Sequence, residues 1–128
     1  KTQAMHAWEW FNKRDVDNEA YEDDLSALSE PVRAGAIVEP NGEVRWPLAL
    51  ADSAIAELAD RGAVILGLDL WPDQHEAPTE IPFWAYGSGI TTLDVEPALE
   101  QARQTLREHP ILAKYPNPTI LVTWKRSK

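Results

Sequence analysis

Nine residues, Ala63-Val-Ile-Leu-Gly-Leu-Asp-Leu-Trp71, constrain this chain more than any other segment. They follow a helical pattern that stops at Gly62, and a run so short, apolar and rich in branched side chains reads as a buried strand. Period two sends Val64, Leu66, Leu68 and Leu70 to one face, which is all aliphatic and is therefore assigned to the core. Ala63, Ile65, Gly67, Asp69 and Trp71 fall on the other face. Core packing does not ask for Asp69, because a buried carboxylate is costly unless paired. Either Asp69 sits at the wet end of the strand or caps a nearby turn, or this face is a recognition surface.

Elements on either side follow from periodicity and punctuation. His6 to Glu30 is helical in pieces: Trp8 and Phe11 are three apart, and Tyr21, Leu25 and Leu28 repeat at four and three. Pro31 bars simple continuation. Between these pieces, the charged run Asp15–Asp24 is expected to be a solvated face. Ala36-Ile-Val38 and Glu43-Val-Arg-Trp46 flank Glu39-Pro-Asn-Gly42, whose Asn-Gly supplies the positive φ angles of a tight hairpin turn. Pro47 restricts how the second arm pairs.

From about Leu48 to Arg61 the pattern is helical, with Ile55, Leu58 and Ala59 on one side, Asp52 or Ser53 near the start and Gly62 as a left-handed C-cap. After the strand, Pro72 and the polar run Asp73–Glu80 form a loop, and Ile81–Tyr86 is an aromatic strand closed by Gly87-Ser-Gly89. Asp94 caps a helix of about fifteen residues, with Pro97 in its first turn. Val95, Ala98, Leu99, Ala102 and Leu106 are its buried stripe, and Glu96, Glu100, Arg103 and Arg107 face water. Pro110, Pro116 and Pro118 stiffen the connection to a last strand, Thr119–Trp124.

This order predicts an α+β fold over residues 1–128, a single domain with helices packed on one face of a small mixed or antiparallel sheet. Strands 63–71 and 81–86 are expected to be antiparallel neighbours, with Gly67 opposite Tyr86 and Asp69 opposite Trp84. A chain of 128 residues without cysteine has neither a disulfide framework nor a thiolate metal site. No apolar run reaches membrane-spanning length and no signal segment opens the chain, so a soluble, cytoplasmic protein is expected. Met5 is the single methionine, so residues 1–4 are read as added sequence or as the cut end of a longer chain.

Charge narrows the partners. The chain carries −9, and residues 51–100 hold ten acids against Arg61 alone, whereas the tail beyond residue 100 is basic. Such a field repels phosphate backbones and argues against nucleic acid; it attracts a basic partner, unless it serves only solubility. For catalysis, His75 among Asp73, Glu76 and Glu80 is the raw material of a general base or a hard-metal site. No second histidine stands at ligand spacing, and no H-E-x-x-H, phosphate loop or nucleophile elbow occurs. The expectation is therefore no catalytic residues, no bound metal and no cofactor.

Six tryptophans are many for this length. Trp8, Trp10, Trp46 and Trp124 are assigned to the core, while Trp71 and Trp84 flank the polar loop and are candidate contacts. Aromatics beside carboxylates suit a basic protein, whose arginines stack on a ring while pairing with the acid. They also suit a pocket for a cationic small molecule, which is the principal rival; a hydrolase or metal enzyme using Asp73, His75 and Glu76 is the lesser one.

Asp60-Arg-Gly-Ala-Val-Ile-Leu-Gly-Leu-Asp-Leu-Trp71 after a helix, then an aromatic strand with Trp84 and Tyr86, a long helix and a final strand, resembles an immunity-protein family of bacterial polymorphic toxin systems. That family carries an I-L-G-G-D-V-Y/W-like signature and a downstream D-x-W-Y-like segment. The likeness covers about residues 46–125; Leu68 stands at the second glycine, and Phe83-Trp-Ala-Tyr86 departs from the aromatic segment. It implies a small cytosolic protein that neutralises a co-encoded toxin by binding, without catalysis. On that reading Asp69, Trp71, Trp84 and Tyr86 form the centre of the contact, and Asp73, Glu76 and Glu80 an electrostatic rim. The acidic Asp15–Asp24 stretch is the alternative docking surface.

Overall fold

A hairpin, a helix and a long strand are laid down in succession, and the last strand then inserts into the middle of the sheet. The computed structural model describes residues 18–71, 90, 92–108 and 117–126. The helices are α1 (Asn18–Ser26), α2 (Glu30–Gly35), α3 (Leu48–Asp60) and α4 (Val95–Glu108). The strands are β1 (Ile37–Val38), β2 (Val44–Pro47), β3 (Ala63–Trp71) and β4 (Thr119–Arg126). Their order in the sheet is β1-β2-β4-β3, and every described pairing is antiparallel, so the fold is α+β. No helix among the described residues is long and apolar enough to cross a membrane.

Local chemistry accounts for most boundaries. The β1–β2 turn closes with the Gly42 amide donating to the Glu39 carbonyl at 2.8 Å, and Gly42 has φ 95°, which only glycine adopts cheaply. Gly62, at φ 93°, ends α3 as expected. Pro31 does not merely stop a helix; it occupies the first turn of α2, where its missing N–H costs nothing. Pro47 stays in β2 opposite Thr119 and also precedes the first residue of α3. That helix therefore starts before Asp52, which lies one turn inside and instead binds Arg103 of α4 through two hydrogen bonds of 2.9 and 3.0 Å. Arg103 is thus half-buried in a pair rather than simply facing water.

The core lies between the sheet and the helices. Val44, Trp46, Ile120, Val122 and Trp124 from the sheet meet Ala51, Ala54, Ile55 and Leu58 of α3 and Ala102 of α4 in one cluster. Trp46 and Trp124 are buried as expected, and their indole N–H groups are satisfied: Trp46 Nε1 donates to the Val32 carbonyl at 2.9 Å and Trp124 Nε1 to Asp24 at 2.8 Å.

Two expectations are corrected here. In β3 strict alternation fails, because the register shifts between Ile65 and Gly67 and leaves Leu66 without a partner on β4. A bulge inserts one residue and reverses the faces on either side of it. Ala63 and Ile65 therefore join Leu68 and Leu70 in the helix-side core, Val64 lies on the face of Asp69, and Leu66 is only half-buried.

The second correction concerns Asp15–Asp24, whose residues 15–17 lie outside the described ones. Glu22 and Asp23 of α1 are exposed, but Tyr21 and Asp24 are buried. Tyr21 stacks on Trp124 with ring centroids 3.7 Å apart. Its hydroxyl donates to the Trp124 carbonyl at 2.7 Å and accepts the Trp124 amide at 3.0 Å, serving a residue of β4 beyond the last one that β2 pairs. Burial holds this phenol above its ordinary pKa. Asp24 accepts from Arg61 Nε at 3.3 Å and Arg126 Nη2 at 3.0 Å as well as from Trp124. A carboxylate tolerates such burial because its lone pairs are filled.

Candidate functional site

The face of the sheet turned away from the main core carries the predicted centre. On it Gly67 faces Thr123, Asp69 faces Leu121 and Trp71 faces Thr119 across β3 and β4. On the far side of β4, Leu121 is opposite Arg45 and Thr119 opposite Pro47. Asp69, Leu121 and Arg45 thus form one cross-strand row. Val64, Leu121, Thr119 and Arg45 are buried on this face, whereas Asp69 and Trp71 are half-buried.

Arg45 is the residue that organises the face. Its side chain is 4 % exposed, its Nε donates to Glu39 at 2.8 Å, its Nη1 donates to the Thr119 hydroxyl at 2.9 Å, and its guanidinium lies 4.2 Å from the centre of the Trp71 ring. One face of the indole is therefore occupied from within the molecule. The ring is pinned, which suits a pre-organised contact but leaves that face closed to a partner's arginine.

Asp69 is a different case. Arg45 is two strands away, roughly 10 Å at ordinary strand spacing, and turns toward Trp71 instead. Among the described residues no hydrogen bond or ion pair reaches the Asp69 carboxylate. Burial, and secondarily the charge of Glu43, push its pKa up to about 7. Glu43 is half-buried immediately before β2 and is itself raised, first by burial and, against a lowering hydrogen bond from Asn41, by Glu39. At neutral pH this side of the sheet accordingly holds a carboxyl group poised between its two states.

Of the residues singled out from sequence, Asp69 and Trp71 share this face. Asp73, Glu76, Glu80, Trp84 and Tyr86 lie outside the described residues, as do His75 and the pairing of 63–71 with 81–86. Arg45, Glu39, Glu43 and Thr119 were not singled out. The signal for Arg45 was present in Glu43-Val-Arg-Trp46: alternation in a hairpin arm places Val44 and Trp46 on the core side and Glu43 and Arg45 on the other. Thr119 gives no such signal, since its role depends on the register of β4. Among the described residues no group of three His, Asp or Glu is placed to hold a metal ion. No protein-family model matches the chain, and neither a curated protein nor a solved structure does.

Proposed function

We propose that this protein is a cytoplasmic immunity protein of a bacterial polymorphic toxin system, acting by stoichiometric binding to a basic toxin domain encoded beside it. The observation that carries the reading is the pairing, at one end of β3, of a half-buried carboxylate that no described residue neutralises with an indole held rigid by Arg45. A desolvated acid is costly in the free protein and becomes favourable when a partner's cation arrives, which is how a recognition site differs from a satisfied core. The net charge of −9 supports the same partner, since it draws a basic domain in and repels nucleic acid. The resemblance of Ile65-Leu66-Gly67-Leu68-Asp69-Leu70-Trp71 to the immunity signature supplies the biological setting.

On this reading Asp69 and Trp71 hold the partner, joined by Trp84 and Tyr86, while Asp73, Glu76 and Glu80 steer its approach. Neither catalysis nor a cofactor is required. The test is co-expression with the C-terminal domain of a toxin-like protein encoded by the neighbouring reading frame. Growth should be rescued, and the two chains should purify together at one to one. Absence of both effects, with the chain soluble and folded, overturns the proposal.

A further inference from the structure

On the opposite side of the sheet from Asp69, α3 and α4 pack against each other and leave an open groove of about 380 Å³ lined by Leu48, Asp52, Arg103, Leu106 and Arg107. That volume is at the small end of the range for ligand pockets, roughly 300–1,000 Å³. We propose that this groove binds a small monocarboxylic acid with a short apolar tail, a site independent of the immunity reading.

Three features set the chemistry. Leu48 and Leu106 are half-buried and give the groove an apolar lining that would cover the tail. Arg103 is held in place by its two bonds to Asp52, which use Nε and Nη2 and leave Nη1 for another acceptor. Arg107, one turn further along α4, has its described ion pair with Glu100 at 3.7 Å, too long for a hydrogen bond, and both side chains are more than half exposed. A guanidinium so weakly engaged is open to a bidentate carboxylate. The groove also begins at the first residue of α3, a thirteen-residue helix with no side-chain cap and no acid in its first turn. That end carries the positive pole of the helix dipole, with Asp52 of the same groove one turn further along the helix.

Selectivity follows from what surrounds the groove. Asp52, Glu96 and Glu100 face Arg103, with Asp52 the dominant influence, and hold it firmly charged. In a chain of −9 these acids repel phosphate esters and polyanions more strongly than a single carboxylate, whose one charge meets the guanidinium while Leu48 and Leu106 cover its apolar tail.

Hexanoate is a suitable probe, with hexanol as the neutral control, followed by methyl and amide NMR of the whole chain. Saturable shifts are expected at Leu48 and Leu106, with hexanol at least about fivefold weaker, as the loss of one exposed charge-assisted contact implies. Arg107→Gln, at an exposed position, should leave the rest of the spectrum unchanged and weaken hexanoate by a similar factor. The proposal is overturned if no saturable shift appears, if shifts centre elsewhere, if hexanol binds as well as hexanoate, or if Arg107→Gln leaves hexanoate binding unchanged.

Discussion

Asp24 and Asp69 are both withdrawn from solvent, yet they have opposite circumstances. Asp24 is 2 % exposed and takes hydrogen bonds from Trp124, Arg61 and Arg126, so it joins α1 to the end of β4 and to the residue after α3. Asp24→Ala strands the buried indole N–H of Trp124, while the two arginines, about a third and a half exposed, recover water. The expected loss is about 2–3 kcal/mol by urea denaturation, below the 3–5 kcal/mol of a wholly buried pair. Asp69 has no such support among the described residues. Its folded pKa of about 7 stands above the ordinary 3.8, so between those values the folded protein keeps a proton that the unfolded chain has released. Stability should therefore fall as pH rises from about 4 to about 7 and level off above, an effect on the order of 2–4 kcal/mol. Asp69→Asn should flatten that slope and be more stable than the parent near pH 8, but not near pH 4. Glu43 is raised too and tilts both proteins alike, so the difference between the two denaturation series is the quantity to measure. Parallel series would mean that Asp69 titrates normally.

At the scale of elements, punctuation was legible and irregularity was not. Gly42, Gly62 and Pro31 announce their turn, helix end and helix start because each is a steric constraint carried by one residue. The β3 bulge is set by something else: Ile65 and Leu68 must both reach the helices, and strict alternation cannot place them there together. No residue in Ile65-Leu66-Gly67 signals where the extra one goes, although Gly67 makes a bulge easy to accommodate. The burial of Asp24 was equally hidden, since its partners are some 37 to 102 residues away in sequence. The bulge has a direct test. Leu68→Ala, at a 2 % exposed core position, should cost about 2–5 kcal/mol, and Leu66→Ala, half-buried outside the main cluster, clearly less. Equal losses in paired denaturation curves would restore the alternating strand.

For the whole molecule, the charge pattern, the α+β class and the place of Asp69 at the end of β3 could all be read from sequence, because they depend on composition and local period. The Arg45–Trp71 contact could not, because it arises only when β4 inserts between β2 and β3. That contact changes how the binding proposal is best tested. Long-range attraction belongs to charges at the rim of a contact, which salt screens over about 8 Å, so on the proposed reading Glu76→Lys with Glu80→Lys should slow association and reduce its salt dependence while dissociation stays nearly constant. Asp69→Ala should do the opposite, since a desolvated charge at the centre of a contact governs lifetime; faster dissociation and a loss of at least about 2 kcal/mol are expected. Trp71→Ala should also speed dissociation, but it additionally removes the ring beneath Arg45, so part of its effect is loosening of the free protein. Trp71→Phe separates the two, because it keeps a ring for the guanidinium and shrinks only the surface offered to the partner. Stopped-flow binding to the co-encoded toxin domain distinguishes these outcomes. Unchanged kinetics for all four proteins, each shown to be folded, would move the interface off this end of β3 and toward exposed Glu22 and Asp23 on α1.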